Sequence, residues 1–280
     1  MPTYLSEIVA AHREAAAGDD RDLDALVRRA LEAPPPGSFA AALARAAETG
    51  LAVIAEVKRR SPSRGDLAPD LDPGEVAGAY RRGGATCLSV LTDAAYFGGS
   101  PADLGAAKTA AGMPVLRKDF TVCPADVCDA RLMGADAVLL IVAALTDAEL
   151  TDLLDLSRRL DLDALVEVHD DEELDRALAA GATLVGVNQR DLRTFRVDHD
   201  RALRMAARIP ADVVAVAESG VRGPADAARL AHAGYQAVLV GETLVRAPDR
   251  EAAVRSLAGH PVGRRTSGSS RPGVGAGGAR

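Results

Sequence analysis

The feature that most constrains this chain is a unit that recurs eight times. From residue 51, an apolar, Val-rich run of about six residues leads into a polar loop and then an Ala/Leu/Arg-rich stretch. The runs cover 51–57, 85–91, 114–117, 135–142, 162–168, 182–187, 212–217 and 236–240. The spacing predicts helices over 73–82, 101–111, 125–133, 147–160, 171–180, 199–208, 223–233 and 247–257. Several of these end in glycine just before the next run, at Gly83-Gly84-Ala85, Gly134-Ala135, Gly181-Ala182 and Gly234-Tyr235. Glycine there supplies the left-handed cap that ends a helix. Near-continuous apolar strands alternating with helices imply parallel strands covered by those helices. Eight such units imply an α/β fold, a single closed (β/α)8 TIM barrel. An open doubly wound sheet is the competing arrangement, but no Gly-x-Gly-x-x-Gly loop follows the first run.

Before the first run, residues 3–17, 21–33 and 37–48 read as helices, separated by Asp19-Asp20 and Pro34-Pro35-Pro36-Gly37. After the last unit, the Gly/Ser/Arg-rich residues 261–280 cannot form a core. The expected organisation is an N-terminal helical extension (1–50), a barrel (51–258) and a disordered tail (259–280). A formal net charge of −7 argues against broad binding to nucleic acid or anionic membrane. No stretch approaches the roughly 20 apolar residues of a membrane span. Residues 1–18 carry Glu7, His12, Arg13 and Glu14 and lack the apolar core of a signal peptide. A cytoplasmic monomer is the expectation. The three cysteines, Cys87, Cys123 and Cys128, do not form a disulfide framework or, without a His cluster, a zinc site. They read as inert thiols, and no metal is expected.

Chemistry concentrates where the strands end, which in a barrel is the active-site face. The first run carries Glu56 and Lys58 two residues apart, on one side of the strand. The third ends in Arg117-Lys118-Asp119-Phe120, the fifth in Glu167-Val168-His169 and the sixth in Asn188-Gln189-Arg190-Asp191. The seventh ends in Glu218-Ser219-Gly220 and the eighth in Gly241-Glu242-Thr243. Of 33 basic residues only Lys58, Lys108 and Lys118 are lysine, and Asn188 is the single asparagine. Lysine surviving in so Arg-rich a chain suits work Arg cannot do, such as giving up a proton. For Lys108, on a helix, survival by chance is the simpler reading.

Glu167 and Glu218 with Lys58 and Lys118 form an acid/base set. Lysine that is desolvated or beside another cation is expected to have its pKa lowered, and a carboxylate in apolar surroundings to have its pKa raised. Phosphate is the expected handle, because barrels often hold it at the loops after strands seven and eight. Gly220 and Gly241 would bring backbone N–H groups to the anion, with Ser61 and Arg190 adding donors. His169, next to Asp170 and Asp171, reads as a surface or capping residue. Arg59, Arg60, Arg117 and Arg131 read as solvated or ion-paired.

The segments Ile54-Ala55-Glu56-Val57-Lys58-Arg59-Arg60-Ser61-Pro62-Ser63, Leu116-Arg117-Lys118-Asp119-Phe120, Leu165-Val166-Glu167-Val168-His169, Gly186-Val187-Asn188-Gln189-Arg190-Asp191-Leu192 and Ala217-Glu218-Ser219-Gly220 closely resemble indole-3-glycerol-phosphate synthase. The resemblance runs in order through residues 4 to about 257. It implies a barrel with an N-terminal helical extension, acting in tryptophan biosynthesis without a cofactor. The implied reaction converts 1-(2-carboxyphenylamino)-1-deoxyribulose 5-phosphate to indole-3-glycerol phosphate, CO2 and water.

The resemblance also implies roles. Lys118 would be the general acid, Glu167 the base for dehydration, and Lys58 the holder of the anthranilate carboxylate. Glu56 would orient the lysines and Asn188 would hold a substrate hydroxyl. Glu218 and Ser219 would bind the sugar, and Ser61, Arg190, Gly220 and Gly241 the phosphate, with Glu242 beside them. Phe97, Phe120 and Leu139 would wall the aromatic ring. Gln189 and Cys123-Pro124 depart from the family pattern, at positions without an implied role. A phosphoribosylanthranilate isomerase-like barrel is the alternative enzyme, though it needs no second lysine; a non-catalytic barrel scaffold is the alternative from another class.

Overall fold

The structure, a computed structural model, describes residues 4–61, 64–191 and 194–265. Pro62, Ser63 and Leu192 of the quoted motifs, and the tail from 266 onward, lie outside the described residues. Eight strands form the barrel: β1 (Ala52–Val57), β2 (Cys87–Leu91), β3 (Val115–Lys118), β4 (Ala137–Ile141), β5 (Asp163–Val168), β6 (Leu184–Asn188), β7 (Val214–Glu218) and β8 (Ala237–Val240). Each pairs in parallel with the next, and β8 returns to β1 with Ala52 opposite Ala237, closing the barrel. Gly84, Gly134, Gly181 and Gly234 end the preceding helices at φ between 85° and 98°, as the repeated glycine signal requires.

Alternation along each strand then decides what faces the axis. Ile54 lies opposite Cys87 and Leu239, and Leu139 opposite Leu165. With Ala52, Leu116, Leu184 and Val216 these fill the barrel interior. Val53, Ala55, Val57 and Val166, at the alternate positions, pack outward against the helices. The same inward parity, continued past the last apolar residue, delivers Glu56, Lys118, Glu167, Asn188 and Glu218 to the C-terminal mouth.

The N-terminal helices α1 (Tyr4–Ala17), α2 (Leu23–Glu32) and α3 (Phe39–Ala47) reach both ends of the barrel. At the N-terminal end α3 inserts Phe39 and Leu43, both fully buried, into the interior cluster. Asp136 fixes that end by accepting from the Gly37 and Val115 N–H groups and from Lys108 Nζ at 2.8 Å. Lys108 is therefore a structural cation. At the opposite end α1 crosses the mouth. There His12 Nε2 lies 3.1 Å from Asp93 Oδ2, and Arg13 pairs with Glu149 at 2.7 Å.

Several details differ from the sequence reading. Arg131 is neither solvated nor ion-paired: it is buried and donates to the carbonyls of Ala33, Pro34 and Leu160, tying α2 to the barrel wall. Arg117 and Arg59 do form the expected ion pairs, with Asp119 and Asp103. The final predicted helix, 247–257, begins later, at Arg250–Leu257, and a short helix that was not predicted, Glu242–Val245, precedes it. Residues 259–265 are hydrogen-bonded along the N-terminal end, through Leu51 N to the His260 carbonyl at 2.8 Å and Arg265 to the Gly234 carbonyl at 2.8 Å.

Candidate active site

The C-terminal mouth encloses a cavity of about 460 Å³. Its lining includes Glu56, Lys58, Ser61, Phe97, Lys118, Phe120, Leu139, Glu167, Asn188, Arg190, Glu218, Ser219, Gly220, Gly241 and Glu242, so the residues given catalytic or binding roles above meet in one place. Lys118 Nζ, at the last residue of β3, donates to Glu167 Oε2 at 2.7 Å and Glu218 Oε2 at 3.0 Å. Asn188 Nδ2 donates to Glu167 Oε1 at 3.1 Å. Lys58 donates to Glu56 Oε1, and Ser89 Oγ reaches Glu56 Oε2 at 3.3 Å.

Two glycines make room for this set. A Cβ at Gly186, on the inner face of β6, would fall 2.0 Å from Glu218 Oε1. A Cβ at Gly241 would fall 2.3 Å from Glu56 Oε1 and 3.0 Å from Lys58 Nζ. Gly241 is thus required by the carboxylate beside it, whatever its backbone N–H does.

The charges sort by contact. Burial opposes the charge of Lys118, but the carboxylates of Glu167, Glu218 and Glu56 outweigh it and raise its pKa. Burial likewise works against ionised Glu167, yet Lys118 and His169 hold it below the usual carboxylate range. Glu218 moves the other way: burial, with Glu167 and Glu56 nearby, raises it to about 7 despite Lys118. The expectation that the lysine pKa falls is therefore overturned for Lys118, whose neighbours are carboxylates rather than a second cation. The expectation of a raised carboxylate holds at Glu218 and fails at Glu167.

The rim gathers hydroxyl, guanidinium and aromatic groups around the cavity. Among the described residues, Ser61 Oγ is buried with no hydrogen-bond partner. After β7, Ser219 (φ 62°) and Gly220 (φ 76°) form a left-handed turn, and Gln189 Nε2 pins it by donating to the Ser219 carbonyl at 2.7 Å. The departing residue Gln189 thus has a structural task. Arg190 already donates to the Phe195 carbonyl at 3.1 Å. Glu242 meets Arg64 at 3.4 Å and Arg246 at 3.8 Å. The Phe97 and Phe120 rings face each other across 6.3 Å, tilted by 37°.

The sequence reading missed Tyr4, Leu5 and Ile8, which line the cavity from α1. No local signal marks them, because the destination of an amphipathic helix is a tertiary fact. It also missed Arg64, Arg222 and Arg246, although they follow the strand ends already read for phosphate. Among the described residues, His12, Asp93 and Asp119 could gather ligand atoms within 4.8 Å of one another. Those carboxylates are otherwise engaged: Asp93 caps the turn at Tyr96 and Phe97, and Asp119 accepts from Arg117 and Thr92. The trio holds α1 in place.

Fold and site together define a (β/α)8 barrel with a buried lysine–carboxylate set in its C-terminal mouth. The family model for indole-3-glycerol phosphate synthase matches residues 5–257. The chain belongs to this family, carboxy-lyases of tryptophan biosynthesis. It is 53% identical over 234 residues to indole-3-glycerol phosphate synthase 2 of Streptomyces coelicolor, covering 84% of this chain and 90% of that one. It is 49% identical over 238 residues to indole-3-glycerol phosphate synthase of Azospirillum brasilense, covering 85% and 91%. Among solved structures, thiamine phosphate pyrophosphorylase from Pyrococcus furiosus superposes with a TM-score of 0.56 at 18% identity, over 74% of this chain and 93% of that one, a likeness of fold alone.

Proposed function

We propose that this mouth closes the pyrrole ring of 1-(2-carboxyphenylamino)-1-deoxyribulose 5-phosphate and releases CO2 and water, with Lys118 as the acid and Glu167 as the base. The ring carbon bearing the carboxylate attacks the C2 carbonyl carbon. Lys118 protonates the carbonyl oxygen as the new bond forms. Lys58 holds the carboxylate until the bond to it breaks; its electron pair returns to the ring and CO2 leaves. The C2 hydroxyl then departs as water, protonated by the lysine pair, while Glu167 accepts the proton lost from C1. Asn188 holds a substrate hydroxyl and Glu56 orients Lys58. Glu218 carries a proton near neutrality, 3.0 Å from Lys118 Nζ, and can restore the ammonium.

The observation that carries this reading is the Lys118 ammonium held between Glu167 and Glu218 inside one cavity. Phe97, Phe120 and Leu139 wall the aromatic ring, and Glu218 and Ser219 take the sugar. The unpartnered Ser61 hydroxyl supports phosphate at the rim, with Arg190, Gly220, Gly241 and Glu242 around it. No described helix is long and apolar enough to cross a membrane. Among the described residues the large apolar side chains left exposed are Leu23 and Leu31, which supports a monomer, and a cytoplasmic location completes the reading. The test is turnover of the purified chain, followed by the fluorescence of the indole product. Lys118→Ala and Glu167→Ala are each expected to lower kcat by roughly 100-fold or more. An unchanged kcat in both variants overturns the roles.

A further inference from the structure

His169 is the first residue after β5 and continues its inward parity beyond Glu167. Far from lying on the surface, it is buried, with 9% of its area exposed. It does not cap the following helix (Asp171–Ala179) either. Asp170 does that, accepting from the Glu173 N–H at 2.9 Å. What His169 touches is a pair of carboxylates. Glu173, in the first turn of that helix, accepts from the His169 backbone N–H at 2.7 Å and meets ring Nδ1 at 3.0 Å. Ring Nε2 lies 3.4 Å from Glu167 Oε1, at ion-pair distance, without the alignment of a hydrogen bond.

We infer that His169 is a positioning residue: clamped by Glu173, its imidazolium holds Glu167 ionised and aimed at the substrate through the catalytic cycle. Glu167 has two partners besides His169, Lys118 on Oε2 and Asn188 on Oε1. Lys118 gives up its proton during ring closure, and at that moment Glu167 loses its principal cation. His169 meets the other carboxylate oxygen, Oε1, and neither His169 nor Glu173 lines the cavity, so their charges persist through that step. An imidazole between two carboxylates in a buried site stays protonated well above its ordinary range. Accordingly, although burial opposes its charge, Glu167 and Glu173 raise His169 to about 9. The charged groups facing the ring are Glu167 from its own strand and Glu173 from the helix; Lys118 from β3 and neutral Asn188 from β6 face Glu167 itself.

The inference rests on Glu167 acting as base, and the test separates the two. The readout is the pH profile of kcat/KM, whose acid limb reports the free-enzyme base. In Glu167→Gln that limb is expected to vanish; a limb unchanged in Glu167→Gln overturns the base assignment itself. In His169→Gln, which keeps a polar side chain but not the charge, the acid limb is expected to move up by about one pH unit. The corresponding loss is about tenfold in kcat/KM on that limb, with little change at its plateau. Glu173→Gln removes the clamp but leaves the imidazolium charged throughout that limb, so the limb is not expected to move upward there. A limb that disappears in Glu167→Gln but stays put in His169→Gln overturns the inference alone. Should His169→Gln not fold, His169→Asn decides: a limb shifted upward supports the inference, an unshifted one overturns it.

Discussion

Replacing Gly186 with alanine adds one methyl group and tests whether the acid–base set depends on space as well as on charge. The Cβ would sit 2.0 Å from Glu218 Oε1 and 3.2 Å from Leu165 Cδ1. Gly186 is in a strand and not at positive φ, so the backbone accepts alanine without strain. The clash must therefore be relieved by the side chain, and the end of Glu218 is the part free to move. Moving it breaks the 3.0 Å contact with Lys118 Nζ. A hydrogen bond to a charged group is worth about 1.5–3 kcal/mol. If that is lost from the transition state, kcat falls roughly 10- to 100-fold, at about 1.4 kcal/mol per tenfold. Overpacking is eased by the side-chain shift, so the stability loss is expected at the low end of about 1–3 kcal/mol. The assay is kcat by indole fluorescence, paired with a urea melt. Glu218→Asp, one methylene shorter, makes room for the methyl; the double variant is expected to lose less than the product of the two single losses. A Gly186→Ala enzyme with kcat within about twofold of wild type refutes the steric argument.

Three further outcomes follow from the structure. The kcat/KM profile of the free enzyme is expected to fall as pH rises through about 7, where Glu218 loses its proton, and Glu218→Gln is expected to flatten that step; a step that survives in Glu218→Gln belongs to another group. His169, raised to about 9 in the fold, adds stability that is fully present below its unfolded value of about 6.5 and is lost as pH climbs through 9, so the fall in Tm between pH 7 and 9.5 should be smaller in His169→Gln. Phe39→Ala empties the plug at the N-terminal end and should cost about 3–5 kcal/mol in a urea melt, with KM within about twofold because the cavity lies at the opposite end.

The barrel was legible because parallel strands buried on both faces must read as apolar runs. The eight runs meet the eight strands to within a few residues. The polar ring was legible for a related reason: inward parity past the last apolar residue leaves Lys118, Glu167 and Glu218 no destination but the mouth. What escaped depends on contacts between distant segments. Ile8 looks like any apolar position of an amphipathic helix, and only docking shows that it covers the cavity. His169 sits beside two aspartates, which suggests a surface, yet its ring turns inward to Glu167 and Glu173. Arg265 belongs to a Gly/Arg-rich stretch with no core signal, and its hold on the Gly234 and Val213 carbonyls is invisible in composition. Gly186 did carry a signal, a glycine inside an otherwise apolar run, which marks close approach by another group. The direction of the Lys118 pKa shift required knowing which neighbours win, and that is a matter of angstroms.

The central claim is that Lys118 acts by giving up a proton, which the scarcity of lysine in this Arg-rich chain first suggested. Lys118→Arg tests it most directly, because Arg keeps the positive charge between Glu167 and Glu218 but does not release its proton near neutral pH. Single-turnover kcat, followed by indole fluorescence, is expected to fall by roughly 100-fold or more, as in Lys118→Ala. A Lys118→Arg enzyme that keeps most of the wild-type kcat would show that charge alone suffices, and would contradict the account.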